Sequence, residues 1–170
     1  MLVHTFDNVE DSQRAWAPCH AGWCEKIDHM SVCLINQRLP NVFSNGGGGA
    51  GVVLAPHTPL ACVFPHDGGT QAMGIEEACK LQHAFPTSRL ADMLSKQEAA
   101  HPFEYNEVLV KSSTWESTLP TIIEAFMFIT DDGKDRAFRV RSAFLHAYGL
   151  TEEDVPLLRY VQGVGFQTVA

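Results

Sequence analysis

The sequence predicts an α+β fold: a mostly antiparallel sheet with helices packed on one face. Three observations predict it. Short, branched segments divided by turn residues fill positions 31 to 64, two amphipathic stretches follow, and strand and helix patterns then alternate as far as residue 161. The connections between the early strands are too short for parallel crossovers.

The elements run as follows. Ser31–Asn36 alternates small and branched residues and reads as a strand. Pro40 interrupts it. Residues 44–51, SNGGGGAG, form the most permissive backbone in the chain and read as a flexible loop. Val52–Ala55 and Leu60–Phe64 are two further strands, divided by Pro56 and Pro59. The short links predict that these three strands form an antiparallel meander. Pro65–Gly69 closes it as a turn.

A helix is expected over Ile75–Phe85, with Ile75, Ala78, Cys79 and Gln82 on its inner stripe. Thr87 or Ser88 can cap the next helix, whose apolar face is Leu90, Met93 and Leu94. Phe103–Val110 is a strand, Ser113–Leu119 a short helical connector, and Ile122–Ile129 the strongest strand in the chain. After the turn Asp131–Gly133, Lys134–Tyr148 carries Ala137, Val140, Phe144 and Tyr148 in line and ends at Gly149, with Leu150 packing back. Thr151–Asp154 resembles a capping box, and Leu157–Val161 is the last strand expected.

A chain of 170 residues suits one hydrophobic core, so residues 1–170 read as a single globular domain with an irregular opening segment over 1–29. Hydrophobic residues make up 45% and charged residues 19%, a composition that excludes bulk disorder. The net charge of −8 disfavours phosphate backbones, and no Lys/Arg cluster offsets it, so nucleic acid is not an expected partner. Arg136, Arg139 and Arg141 read as a solvated helix face. The longest apolar run, near Ile122–Ile129, contains Glu124, so no transmembrane segment is expected. The opening residues have no signal-peptide pattern; an extracytosolic location would require a leader already removed.

Four features invite a chemical reading. Cys19, Cys24, His29 and Cys33 have the ligand types of a structural zinc site, but the first two are looser than a paired Cys-x-x-Cys, and Cys33 falls within a strand. Five cysteines also allow disulfides among Cys19, Cys24, Cys33, Cys62 and Cys79. The run Gly46–Gly49 precedes a strand rather than a helix, unlike a phosphate-binding loop. His66 and Asp67, beside Gly68 and Gly69, are candidates for acid–base work or an exposed turn.

The fourth feature is a pair of carboxylates. Alternation puts Tyr105, Glu107, Leu109 and Lys111 on one face of their strand, and Glu124 on a face with Ile122, Phe126 and Phe128. If the two strands are neighbours, Glu107 and Glu124 converge, and two carboxylates in different environments suit hydrolytic chemistry.

No Ser-His-Asp context, nucleotide fingerprint, His-Glu-x-x-His motif or kinase signature is present. The leading expectation is a soluble binding or interaction domain for a protein or small-molecule partner, with no cofactor and no metal. The alternatives are a small hydrolase or transferase using Glu107, Glu124, His66 and Asp67, and a structural zinc module over residues 19–33.

Overall fold

A computed structural model of the chain describes residues 1–6, 28–34, 49–70, 73–100, 105–111, 115–161 and 163–169. Among these, nine strands form one sheet. They are β1 (Leu2–Phe6), β2 (His29–Leu34), β3 (Ala50–Leu54), β4 (Leu60–Phe64), β5 (Phe85–Pro86), β6 (Glu107–Lys111), β7 (Ile123–Phe128), β8 (Leu157–Val161) and β9 (Gly165–Thr168). The helices are α1 (Ile75–Ala78), α2 (Leu90–Ala100), α3 (Trp115–Ile122) and α4 (Asp131–Tyr148). The sheet order is β5-β4-β6-β2-β1-β3-β7-β8-β9, and every pairing is antiparallel except β7 with β8, which α4 connects. The expected α+β class is therefore observed.

The meander is not. β2 pairs with β1 and β6, β3 with β1 and β7, and β4 with β6 and β5. The displacing strand is β1, which lies in what the sequence suggested was an irregular opening. Its Val3 pairs with Cys33 on one side and with Val53 on the other, so five residues occupy the middle of the sheet. The rest of the opening, residues 7–27, and most of the Gly-rich loop lie outside the described residues.

The strand faces sort into two apolar layers. Leu2, Val32, Val52, Val63, Val108 and Phe126 share a cluster with Met93 of α2, Leu119 and Ile122 of α3, and Ala137, Val140 and Phe144 of α4. On the other face Val3, Cys33, Val53, Ala125 and Met127 pack together, and Cys62, Phe64 and Leu109 meet Ala78 of α1. The three longer helices thus share one face, while the four-residue α1 lies on the other. This corrects the expectation of helices on a single face.

α1 is also far shorter than the helix expected over Ile75–Phe85. Cys79, its C-terminal cap, is bonded to Cys62 of β4, and the chain then turns back so that Phe85 pairs with Val63. A continuous helix would carry Phe85 away from that partner. α4 begins three residues before the expected Lys134, with Thr130 accepting from the Gly133 N–H as its N-cap. Its end agrees with the sequence: Gly149 is left-handed at φ 66°, and Leu150 N donates to the Leu145 carbonyl. Arg141 does not belong to a solvated face. It is buried, donating from Nε to the Val155 carbonyl at 2.7 Å and from Nη2 to the Glu152 carbonyl at 2.8 Å. It therefore ties α4 to the segment leading into β8.

Candidate functional site

Glu107 opens β6 and is the most enclosed acid among the described residues, with 2% of its surface exposed. β6 lies between β4 and β2, so the side chain has the loop after β4 on one side and β2 on the other. Both supply donors. Ser31 of β2 donates its hydroxyl to Oε1 at 2.5 Å, and Thr70 donates to the same oxygen at 2.7 Å. Gly68 N donates to Oε2 at 2.8 Å. Burying a carboxylate without such partners is strongly unfavourable; charge-assisted bonds of this kind offset the lost hydration. Gly68 is needed for the approach. A Cβ there would lie 2.7 Å from Oε2 and 3.0 Å from the Phe64 ring.

The two loop donors bracket a tight turn. Asp67 Oδ1 accepts from Gly69 N at 2.9 Å, and Gly69 takes a left-handed φ of +65°. His66 Nδ1 donates to the Asp67 carbonyl at 2.9 Å, and its ring lies edge-on to His83 with centroids 5.2 Å apart. His66 and Asp67 therefore each bond to the backbone of their own turn. Asp67 is exposed and His66 half-buried, so the turn presents polar groups outward above the Glu107 anchor.

A second bond fixes the same loop. The Cys62–Cys79 disulfide joins β4 to the end of α1 across 17 positions, enclosing residues 63–78. At the start of α1, Asp28 accepts from Ile75 N at 3.0 Å and contacts His29 Nδ1 at 3.0 Å. Partial desolvation raises the Asp28 pKa, but the bonds from His29 and Ile75 outweigh it and leave the carboxyl below its usual range. Beneath the loop, burial pushes the Tyr105 phenol well up, and Cys33, Glu107 and Asp67 nearby add to the effect.

Glu124 takes no part in this site. Val53 pairs with Ala125 while Leu54 pairs with Ile123, so Glu124 is the additional residue of a β-bulge. The bulge interrupts the alternation that grouped Glu124 with Phe126 and Phe128, and the side chain is exposed. β2, β1 and β3 stand between β6 and β7, which separates the two strands by about 19 Å at ordinary strand spacing. The structure thus brings Glu107 close to the His66–Asp67 loop and leaves Glu124 apart.

Cys33 faces the apolar cluster of Val3, Val53 and Met127 as a free, buried thiol. Burial pushes its pKa far above the usual thiol range. Cys19 and Cys24 lie outside the described residues, and among the described residues no group of three His, Cys, Asp or Glu side chains is placed to hold a metal.

Sequence reasoning missed Ser31, Thr70 and the pair Asn106–Gln97. Asn106 exchanges bonds with the backbone of Leu34, accepting at 2.7 Å and donating at 2.8 Å, and also donates to Gln97 Oε1 at 2.9 Å. Its amide extends the β2–β6 ladder where the backbone pairing ends. The available signal was a serine and an asparagine within apolar strand patterns, where a polar group needs a partner.

No protein-family model matches the chain, and no curated protein matches it either.

Proposed function

We propose that the protein is a binding module and that the turn from Pro65 to Thr70 is its recognition element. The observation that carries this reading is the use made of Glu107. Two of its donors come from the turn itself, so the buried carboxylate holds an exposed polar loop in one conformation. A loop fixed before it meets a ligand loses less entropy on binding. His66 and Asp67, with His83 beside them, offer a small polar surface suited to a polar peptide segment or small molecule. The Cys62–Cys79 bond reinforces the same preorganisation.

A hydrolase is the competing reading, favoured by the short Ser31–Glu107 contact of 2.5 Å. Against it, both oxygens of Glu107 already accept bonds within the fold, and the second expected carboxylate lies about 19 Å away by strand spacing.

The two readings separate in one comparison. Immobilised protein is screened against peptide and small-molecule libraries, beside a panel of ester, glycoside and phosphoester substrates. The binding reading expects a ligand whose affinity falls about tenfold in the His66→Ala/Asp67→Ala variant, with the circular dichroism of the folded protein unchanged. Steady turnover that disappears in Glu107→Gln would favour the hydrolase and overturn the proposal.

A further inference from the structure

The strand β9 ends the sheet, and among the described residues nothing pairs with its outer edge. Natural edges are usually blunted by shortness, charge, proline or a bulge. β9, with four residues, is short but has none of the other three. From Tyr160 to Ala170 the chain contains no Asp, Glu, Lys, Arg or Pro, in a protein with a net charge of −8. Val164, beside it in the hairpin turn, is 67% exposed.

The phase of the ladder shows which groups are open. Val169 N donates to the Leu157 carbonyl at 3.2 Å, and Arg159 faces Gln167 two positions on. Backbone groups of an antiparallel strand point alternately to either side. Gly165, Gln167 and Val169 therefore face β8, while the N–H and C=O of Phe166 and Thr168 point to the open edge.

From this geometry we propose that β9 pairs with β9 of a second copy of the chain, antiparallel and in one register. A two-fold axis through Gln167 sets Phe166 opposite Thr168 of the second copy. Those two residues carry the outward backbone groups, so each such pair exchanges both of its hydrogen bonds. Gln167 faces Gln167 of the second copy, where two amides can bond and no like charges meet. An axis between two residues would oppose outward groups to inward ones and lose the ladder, and an axis through Phe166 or Thr168 would set one outward residue of β9 against a position outside the strand, which selects this register. The contact is small, below the roughly 1,200 Å² of standard stable interfaces, so the dimer is a weak, reversible one. The two copies repel through their net charge, so salt strengthens the association.

This inference does not depend on the role of the Pro65–Thr70 turn. It is tested by sedimentation velocity over the micromolar to high-micromolar range, at low and high salt. The wild-type protein is expected to show a concentration-dependent dimer that is favoured by salt. Thr168→Pro removes an outward N–H and leaves the bonds to β8 in place; Gln167→Lys sets two like charges on the axis. Both are expected to remain monomeric with unchanged circular dichroism. If Thr168→Pro fails to fold, Gln167→Lys decides, because its side chain is exposed. Mixing Gln167→Lys with Gln167→Glu is expected to restore the dimer. A wild-type monomer under all conditions, a dimer that persists in Gln167→Lys, or a mixture that associates no better than its components would each overturn the proposal.

Discussion

Glu107 is a carboxylate in an apolar layer, stabilised by donors from Ser31, Gly68 and Thr70. Removing the acceptor strands all of them. Glu107→Ala should therefore lower the unfolding free energy by about 3 kcal/mol, read from the urea midpoint, and Glu107→Gln by less because one carbonyl oxygen remains. A loss below about 1 kcal/mol in the alanine variant would show that the anchor is unimportant to the fold. Cys33 makes a different prediction, in pH. Burial raises its pKa in the folded state above the ordinary 9.0, so the unfolded chain ionises first as pH rises. The stabilisation is complete below pH 9 and is lost progressively above it. Equilibrium unfolding across the alkaline range should show this decline, shallower in Cys33→Ala than in the wild type; parallel curves would assign the decline to other groups such as Tyr105. At this scale the sequence was half legible. Alternation correctly put Glu107 and Leu109 on one face, and it placed Cys33 inside a strand. It misplaced Glu124, because a bulge is one additional residue and leaves no mark in a pattern of period two.

Among the elements, α4 was the clearest in the sequence and still began earlier than its pattern suggested. Asp131-Asp-Gly133 has turn chemistry, yet it forms the first helical turn, capped by Thr130. Gly133 is there for space and not for flexibility. A Cβ at this position would lie 2.0 Å from the Gly49 carbonyl oxygen, and one at Gly49 would lie 2.5 Å from Thr130 Oγ1. The start of α4 and the start of β3 are thus pressed backbone to backbone. Alanine is the better helix former by about 1 kcal/mol, so propensity alone predicts that Gly133→Ala stabilises the protein. Packing predicts the reverse, a loss of about 2 kcal/mol or more, since the obstructing atoms are backbone and cannot rotate away. Thermal unfolding decides between them: a raised melting temperature would mean that the contact is not as tight as described. β1 and β9 were missed for a related reason. Each is short, and β1 is held in the sheet by neighbours on both sides more than by its own pattern.

In the whole molecule the longest-range information was the least accessible to the sequence. The expected α+β class followed from element order, but sheet order did not: β1 enters between β2 and β3, and this separates strands that short loops seemed to join. Cysteine count was equally ambiguous, since five residues permit several pairings and only the fold brings Cys62 to Cys79. That bond lies at one side of the sheet, with β5, β4 and α1, while α4 and β7 to β9 lie toward the other. Its removal should therefore act unevenly. Closing a loop of this length stabilises a fold by about 3 kcal/mol in the chain-entropy account. The Cys62→Ala/Cys79→Ala variant is expected to melt at a lower temperature by a corresponding amount. Below that melt, its backbone amides over residues 66–80 should exchange with solvent much faster than in the wild type, while those of β3 and β7 change little. Glu107 would then hold the turn alone, so adding Glu107→Gln should accelerate exchange at Gly68 and Gly69 further. Uniform acceleration across the sheet would mean that the disulfide supports the fold as a whole. No acceleration at all would mean that the carboxylate anchor alone fixes the loop, and the recognition surface would then be independent of redox state.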